Sequence, residues 1–201
     1  LLNSTGNQDL ILKMDSKELS NGMKITEIDI PGVYVFETPK YRDKRGTFTV
    51  PFNLKEFKEA TNFYADFVQD NLSTSKKNVL RGLHYQLKKP QGKLVRVIKG
   101  SVQDVIVDIR QKSPTFGKSF SIILSSKNNL SLWVPPGFAH GFLSLSEGTQ
   151  FFYKVTNDYS PENERTLLWN DPELNIDWRT DDPILSEKDV EGKVLKECTL
   201  A

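Results

Sequence analysis

Two histidines, His84 and His140, are all the imidazoles in the 201 residues, and that scarcity narrows the chemistry open to the chain. A metal-binding jelly roll asks for about three imidazoles with a carboxylate, or about two with a carboxylate in the facial triad. No His-x-His pair is present. A metal-dependent oxygenase is therefore disfavoured, and no metal site is expected. What remains for an imidazole is acid–base work or a hydrogen-bonded place in the core, because its charge changes near neutral pH.

His84 sits in Arg81-Gly82-Leu83-His84-Tyr85-Gln86, where strand alternation puts Gly82, His84 and Gln86 on one face and Arg81, Leu83 and Tyr85 on the other. A satisfied core or edge histidine is the plainer alternative, and a polar inner face beside further basic strands weighs against it and towards a site. Lys93 begins a face continued by Val95 and Val97, and Tyr153 lies within Gln150 to Val155. Singly, these read as a solvated strand end and a core tyrosine with a satisfied hydroxyl; only convergence on one cavity would give them a role. His140 follows a Pro-x-Gly-x-x-His spacing from Pro135, which suits a turn delivering a strand and its histidine to a barrel mouth. Ser186-Glu187-Lys188-Asp189 reads as a capping box with Asp189 as its returning acid. Asp43-Lys44-Arg45-Gly46 reads as a surface turn, and Asn3-Ser4-Thr5 and Asn71-Leu72-Ser73 as chance glycosylation spacings.

The elements that must position these residues follow an all-β rhythm, with short runs of Val, Ile, Phe and Tyr broken by Gly, Pro, Asn and Ser. Strands are expected at 33–37, 47–52, 66–70, 79–86, 93–98, 102–109, 119–124, 130–134 and 150–155. Helices are expected at 54–61, capped by Asn53, and at 187–195, capped by Ser186. The segment 157–183 is expected to wrap the barrel as ordered loop. This pattern points to a sandwich or jelly-roll barrel with a few short helices. Residues 1–22 are set aside as an N-terminal extension, possible disorder included, and 23–201 is read as one domain.

With 27 Lys and Arg against 26 Asp and Glu, the chain has no global attraction to nucleic acid or to an anionic membrane, so an anionic ligand needs a local basic cluster. No apolar run reaches the roughly 18 to 20 residues of a membrane span, and neither signal peptide nor anchor is expected. The single cysteine, Cys198, fits a reducing compartment, and a cytoplasmic protein is expected.

Several strings together resemble the dTDP-4-dehydrorhamnose 3,5-epimerase family of cupin-fold sugar nucleotide epimerases. They are Asp43-Lys44-Arg45-Gly46, Phe67-Val68-Gln69-Asp70-Asn71, Val79 to Gln86, Gln91 to Val97, Ser113-Pro114-Thr115-Phe116-Gly117, Leu132 to Phe142, Trp169-Asn170-Asp171-Pro172 and Leu185 to Asp189. The resemblance runs in one order from about Met23 to about Leu195. It implies an all-β cupin-type double-stranded β-helix, no cofactor, and proton removal and return at the carbons flanking the 4-keto group of a dTDP-bound 6-deoxy sugar. His84 falls at the family's base position and Asp189 at that of its partner, a pairing expected to raise the histidine's basicity. Lys93 matches the lysine facing the sugar's 4-oxygen, and Tyr153 the tyrosine that returns a proton from the opposite face. His140 matches an active-site histidine. Arg81 matches a phosphate-binding arginine, as does Arg45 reaching in from the neighbouring subunit of a homodimer. Phe48, Gln69, Asn71 and Tyr159 match nucleotide-side positions.

Two positions depart from the family pattern: Val50 stands where a glutamate is usual, and Leu72 where a histidine is usual. Both bear on the substrate more than on the reaction. The resemblance implies inversion at C3 and C5 on the route to dTDP-L-rhamnose. Its rivals are a relative that inverts one carbon or isomerises the ketone, and a non-catalytic sugar-binding cupin.

Overall fold

Valines and aromatics at alternate positions of two neighbouring strands, β8 (Lys93–Lys99) and β13 (Thr149–Val155), start the barrel wall, with Val95, Val97 and Phe151 pointing inward. The computed structural model describes residues 16–19 and 21–200; the Asn3-Ser4-Thr5 spacing and most of the N-terminal extension lie outside them. β8 and β13 belong to a seven-stranded sheet with β1 (Lys17–Glu18), β2 (Lys24–Glu27), β3 (Tyr34–Glu37), β6 (Gln69–Ser75) and β11 (Leu130–Val134), in the order β1-β2-β3-β11-β8-β13-β6. Facing it is a five-stranded sheet of β7 (Leu80–Gln86), β9 (Ser101–Asp108), β10 (Ser119–Ser125), β12 (Phe138–Ser144) and β14 (Glu164–Thr166), in the order β10-β9-β12-β7-β14. Every pairing within these sheets is antiparallel. A separate hairpin joins β4 (Tyr41–Asp43) to β5 (Gly46–Phe48).

Between the sheets lies an apolar core to which Val95, Leu132 and Phe151 contribute from one side and Ile106, Ile122 and Phe142 from the other. Two further layers close the outside. Helix α1 (Leu54–Thr61) presses Phe57 edge-on to Trp133 at 4.9 Å, covering the outer face of the large sheet. Burying a side chain of that size stabilises the fold by roughly 1.5–3 kcal/mol. The small sheet's outer face, with Leu83, Val105 and Leu143, is covered by Leu167, Trp178 and the residues around Leu195. Trp178 Nε1 donates to the Trp169 carbonyl at 2.8 Å, so the segment around 157–183 is tied down rather than loose.

The mostly β architecture and α1 agree with the sequence reading, and the bounds differ in places. β6 begins at Gln69 and runs to Ser75, later and longer than the expected 66–70. β5 stops at Phe48, ahead of Pro51, which has no N–H to offer a ladder. The second helix, α2 (Glu187–Val190), spans four residues instead of 187–195. After it, Lys193 N–H donates to Thr166 O and Leu168 N–H to Lys193 O, so the chain pairs with the sheet instead of continuing as helix. Segments β1, β2, β4, β12 and β14 lie outside the expected runs; β1 pairs with β2 and so brings Lys17 and Glu18 into the large sheet.

Candidate active site

β7 and β12 run antiparallel with His84 opposite His140 and Arg81 opposite Phe142. Between those pairs, Gly82 and Leu83 of β7 oppose Gly141 alone, which makes a β-bulge. Gly82 has φ +126°, and a Cβ there would lie 2.5 Å from Gly141 Cα and 2.8 Å from His140 O, so only glycine fits. The bulge corrects the simple alternation read from the sequence. Arg81 and His84, three residues apart, would face opposite ways in a regular strand; the extra residue brings both to one cavity.

That cavity, about 390 Å³, opens between β6 and β7, and Gln69, Asn71, Lys93, His140, Tyr153, Tyr159 and Asp189 also line it. His84 Nε2 lies 2.6 Å from Asp189 Oδ1. Asp189 is buried; its Oδ1 accepts the Gly82 N–H at 3.3 Å and its Oδ2 the Ser186 hydroxyl at 2.7 Å. Ser186 Oγ accepts the Asp189 N–H at 3.3 Å, closing the capping box of α2. One carboxylate thus serves a helix end and an imidazole together. Burial alone would raise the Asp189 pKa, but hydrogen bonds from His84 and Ser186 outweigh it and hold the group ionised.

Burial depresses the His84 pKa below the ordinary imidazole value; Lys188 and Lys93 push the same way, and Asp189 pulls upward without overcoming them. The pairing with Asp189 thus raises the basicity of the ring as expected, and burial sets the net pKa lower. The site favours neutral His84, the form able to accept a proton. Burial likewise brings Lys93 down to about 8, against the upward pull of Glu164 and Asp104. Burial raises the Tyr153 pKa and Glu164 adds to it, so the phenol keeps its proton at neutral pH.

The remaining residues are placed as follows. His140 is buried, with Nε2 2.9 Å from Asp104 Oδ2. Arg81 is exposed at the cavity edge and donates through Nε to Ser75 Oγ at 3.2 Å. Gln69 Nε2 donates to Asn71 Oδ1 at 2.7 Å, and Tyr159 donates its hydroxyl to Glu164 Oε2 at 2.9 Å. Arg45 and Phe48 lie on the β4–β5 hairpin, both exposed, and neither lines the cavity of its own chain. Among the described residues, no group of three His, Cys, Asp or Glu is placed to hold a metal ion.

A family-wide sequence profile of dTDP-4-dehydrorhamnose 3,5-epimerase matches residues 27–197. The chain belongs to the dTDP-4-dehydrorhamnose 3,5-epimerase family. The epimerase of that name from Pseudomonas aeruginosa is 52% identical over 172 residues, covering 85% of this chain and 95% of that protein. Its Shigella flexneri counterpart is 51% identical over the same shares. Among solved structures, a dTDP-6-deoxy-D-glucose-3,5-epimerase from Legionella pneumophila in complex with dTDP-4-keto-L-rhamnose superposes with a TM-score of 0.86 at 46% identity, covering 88% of this chain and 95% of that one.

Two cavity residues of this family member carry no signal in the sequence. Glu164 comes from β14, inside the segment read as loop, and Lys188 from the residue before Asp189; they pair at 2.8 Å. Their partnership spans 24 positions and becomes visible only when β14 docks beside β7. Val50 and Leu72, the two departures from the dTDP-4-dehydrorhamnose 3,5-epimerase pattern, are both exposed and outside the cavity of their own chain.

Proposed function

We propose that the chain inverts C3 and C5 of dTDP-4-dehydro-6-deoxy-D-glucose through enolate intermediates, giving dTDP-4-dehydro-L-rhamnose for dTDP-L-rhamnose synthesis. The observation that carries this is the convergence of the His84–Asp189 pair, Lys93 and Tyr153 on one cavity. A proton α to a ketone leaves readily when a positioned base meets it and a fixed charge meets the oxygen that becomes negative. Neutral His84 takes the proton, and ionised Asp189 orients the ring and stabilises the imidazolium. Lys93 faces the 4-oxygen and holds the enolate by charge. Tyr153 delivers its phenolic proton to the carbon from the opposite face, and inversion follows because removal and return use different faces.

The diphosphate lies by Arg81, whose guanidinium is exposed at the cavity edge, and the nucleoside along Gln69, Asn71 and Tyr159, with His140 contacting the sugar. Arg45 and Phe48 act from the second copy of a homodimer. In support, every residue of the β4–β5 hairpin is exposed, and an isolated two-stranded hairpin is marginal without a surface to pack on. Among the described residues the Arg45 side chain bonds to Asp43 of the same turn, which leaves its outer side open to a phosphate. No helix among the described residues is long and apolar enough to cross a membrane. The cytoplasmic part of this reading is supported by the single cysteine, Cys198, which suits a reducing compartment.

The test is turnover of dTDP-4-dehydro-6-deoxy-D-glucose by His84→Ala and Tyr153→Phe. We expect His84→Ala to cost about 10²- to 10⁴-fold in kcat, and Tyr153→Phe to retain proton loss while losing inversion. Near-normal turnover by His84→Ala would refute the assignment.

A further inference from the structure

The reaction site has a second opening. Beyond the cavity between β6 and β7, a lobe of about 550 Å³ leads out past the ends of β9 and β12, where Ile109, Gln111, Lys112, Pro136 and Phe138 form its walls. The two spaces share His84, Gln91, Lys93, Tyr159 and Glu164. Resting on the reading above, the diphosphate and nucleoside fill the side by Arg81, Gln69 and Asn71, which do not line the lobe; of the nucleoside-side residues Tyr159 alone borders both spaces, and the lobe beyond it stays free.

Double inversion creates a need that such a lobe meets. In the first inversion a C–H bond breaks and its proton goes to His84, while the Tyr153 O–H bond breaks and its proton goes to the opposite face of the same carbon. The site is left as imidazolium and phenolate. A second inversion requires neutral imidazole and phenol again, so one proton must leave His84 and one must reach Tyr153, with no net change.

We propose that the lobe at the barrel mouth is the solvent route that resets His84 and Tyr153 between the two inversions while the nucleotide blocks the other opening. His84 lines the lobe and releases its proton to water there. Lys93 is the relay to Tyr153. Its side chain lines both spaces and has no hydrogen-bond partner among the described residues, while its backbone pairs with β11 and β13. In the register of β8 and β13, Lys93 faces Val155 and Tyr153 faces Val95, so the two are diagonal neighbours on the inner face. Diagonal neighbours lie within reach of long side chains. A lysine that titrates at about 8 can give a proton up and regain it from water near neutral pH. The space exceeds the roughly 30 Å³ a water occupies many times over, and glutamine, lysine and glutamate side chains give water its partners.

Gln111 and Lys112 are exposed rim residues, so large side chains there narrow the mouth without touching the core. The experiment follows dTDP-4-dehydro-6-deoxy-D-glucose in deuterated water with the wild-type chain, Gln111→Trp, Lys112→Trp and the control Gln111→Ala, recording deuterium at C3 and C5 separately. Wild type should place deuterium at both carbons. Each tryptophan variant should slow exchange at the second carbon by about tenfold or more relative to the first, so that singly inverted product accumulates, while Gln111→Ala matches wild type. An unchanged ratio in both tryptophan variants overturns the inference, as does equal slowing at both carbons, which marks an effect on binding. Protium carried to the second carbon by wild type also overturns it, because the proton then returns internally. Absence of exchange at both carbons in wild type would instead sink the proposed activity itself.

Discussion

Asp189 binds the N-terminus of α2 and the His84 ring with the two oxygens of one carboxylate, Oδ2 accepting from Ser186 and Oδ1 lying 2.6 Å from His84 Nε2. Helix capping and imidazole orientation are therefore coupled. Asp189→Asn keeps the shape but cannot stabilise an imidazolium by charge. We expect kcat to fall by about 10²- to 10⁴-fold with a smaller change in KM, measured by steady-state kinetics. Asp189→Ala also removes the capping box and should lower stability by about 1 kcal/mol in denaturant unfolding. Wild-type kcat in Asp189→Asn would show that the pair is structural only.

Both limbs of the pH profile follow from the site's charges. Burial first, with Lys188 and Lys93, holds the His84 pKa below the ordinary imidazole value, so the acid limb of kcat/KM should fall below that value too. Lys188→Met removes a positive charge, raises the His84 pKa and moves the acid limb upward. Lys93 works as a cation and titrates at about 8, so activity should decline as pH rises through that region. Lys93→Arg, always charged, should carry the alkaline limb upward even if its maximum is lower. Profiles of the two variants that overlay wild type would contradict these assignments.

Gly82→Ala tests the bulge. Its Cβ would collide with the Gly141 Cα and the His140 carbonyl at a φ that side chains avoid, so β7 and β12 must separate. We expect a loss of more than about 2 kcal/mol in stability, together with lost activity as Arg81 and His84 leave their common cavity. A variant as stable as wild type would mean that the strands can repack around a methyl group.

Legibility of this fold in the sequence depends on which faces are covered. β8, β11 and β13 stand out because apolar runs end at turns, and α1 because Asn53 accepts the Glu56 N–H at 3.2 Å as its spacing implies. β12 hides because both of its faces are buried, Phe138 and Phe142 in one core and Ala139 and Leu143 in another, so Phe-Ala-His-Gly-Phe-Leu-Ser shows no alternation. The bulge is invisible because the reason for Gly82 lies in Gly141, 59 positions along the chain. Resemblance supplied Asp189 as a partner of His84; the cap spacing alone gives it only a helix end. Glu164 and Lys188 depend on long-range docking and leave no local pattern.

Asn53→Ala separates stability from function. Its cap lies on the outer face of the large sheet, and the residue does not line the reaction cavity. Stability should fall by about 1 kcal/mol in denaturant unfolding while kcat and KM stay at wild-type values. A drop in kcat at full folding would tie α1 to the site in a way the packing does not suggest.

The most direct measurement is proton NMR of dTDP-4-dehydro-6-deoxy-D-glucose incubated with the chain in deuterated water, following the hydrogens at C3 and C5. Loss of both signals, with the product in the L-rhamno configuration, is the predicted result. Retention of either signal at full conversion would contradict double inversion at the His84–Tyr153 site.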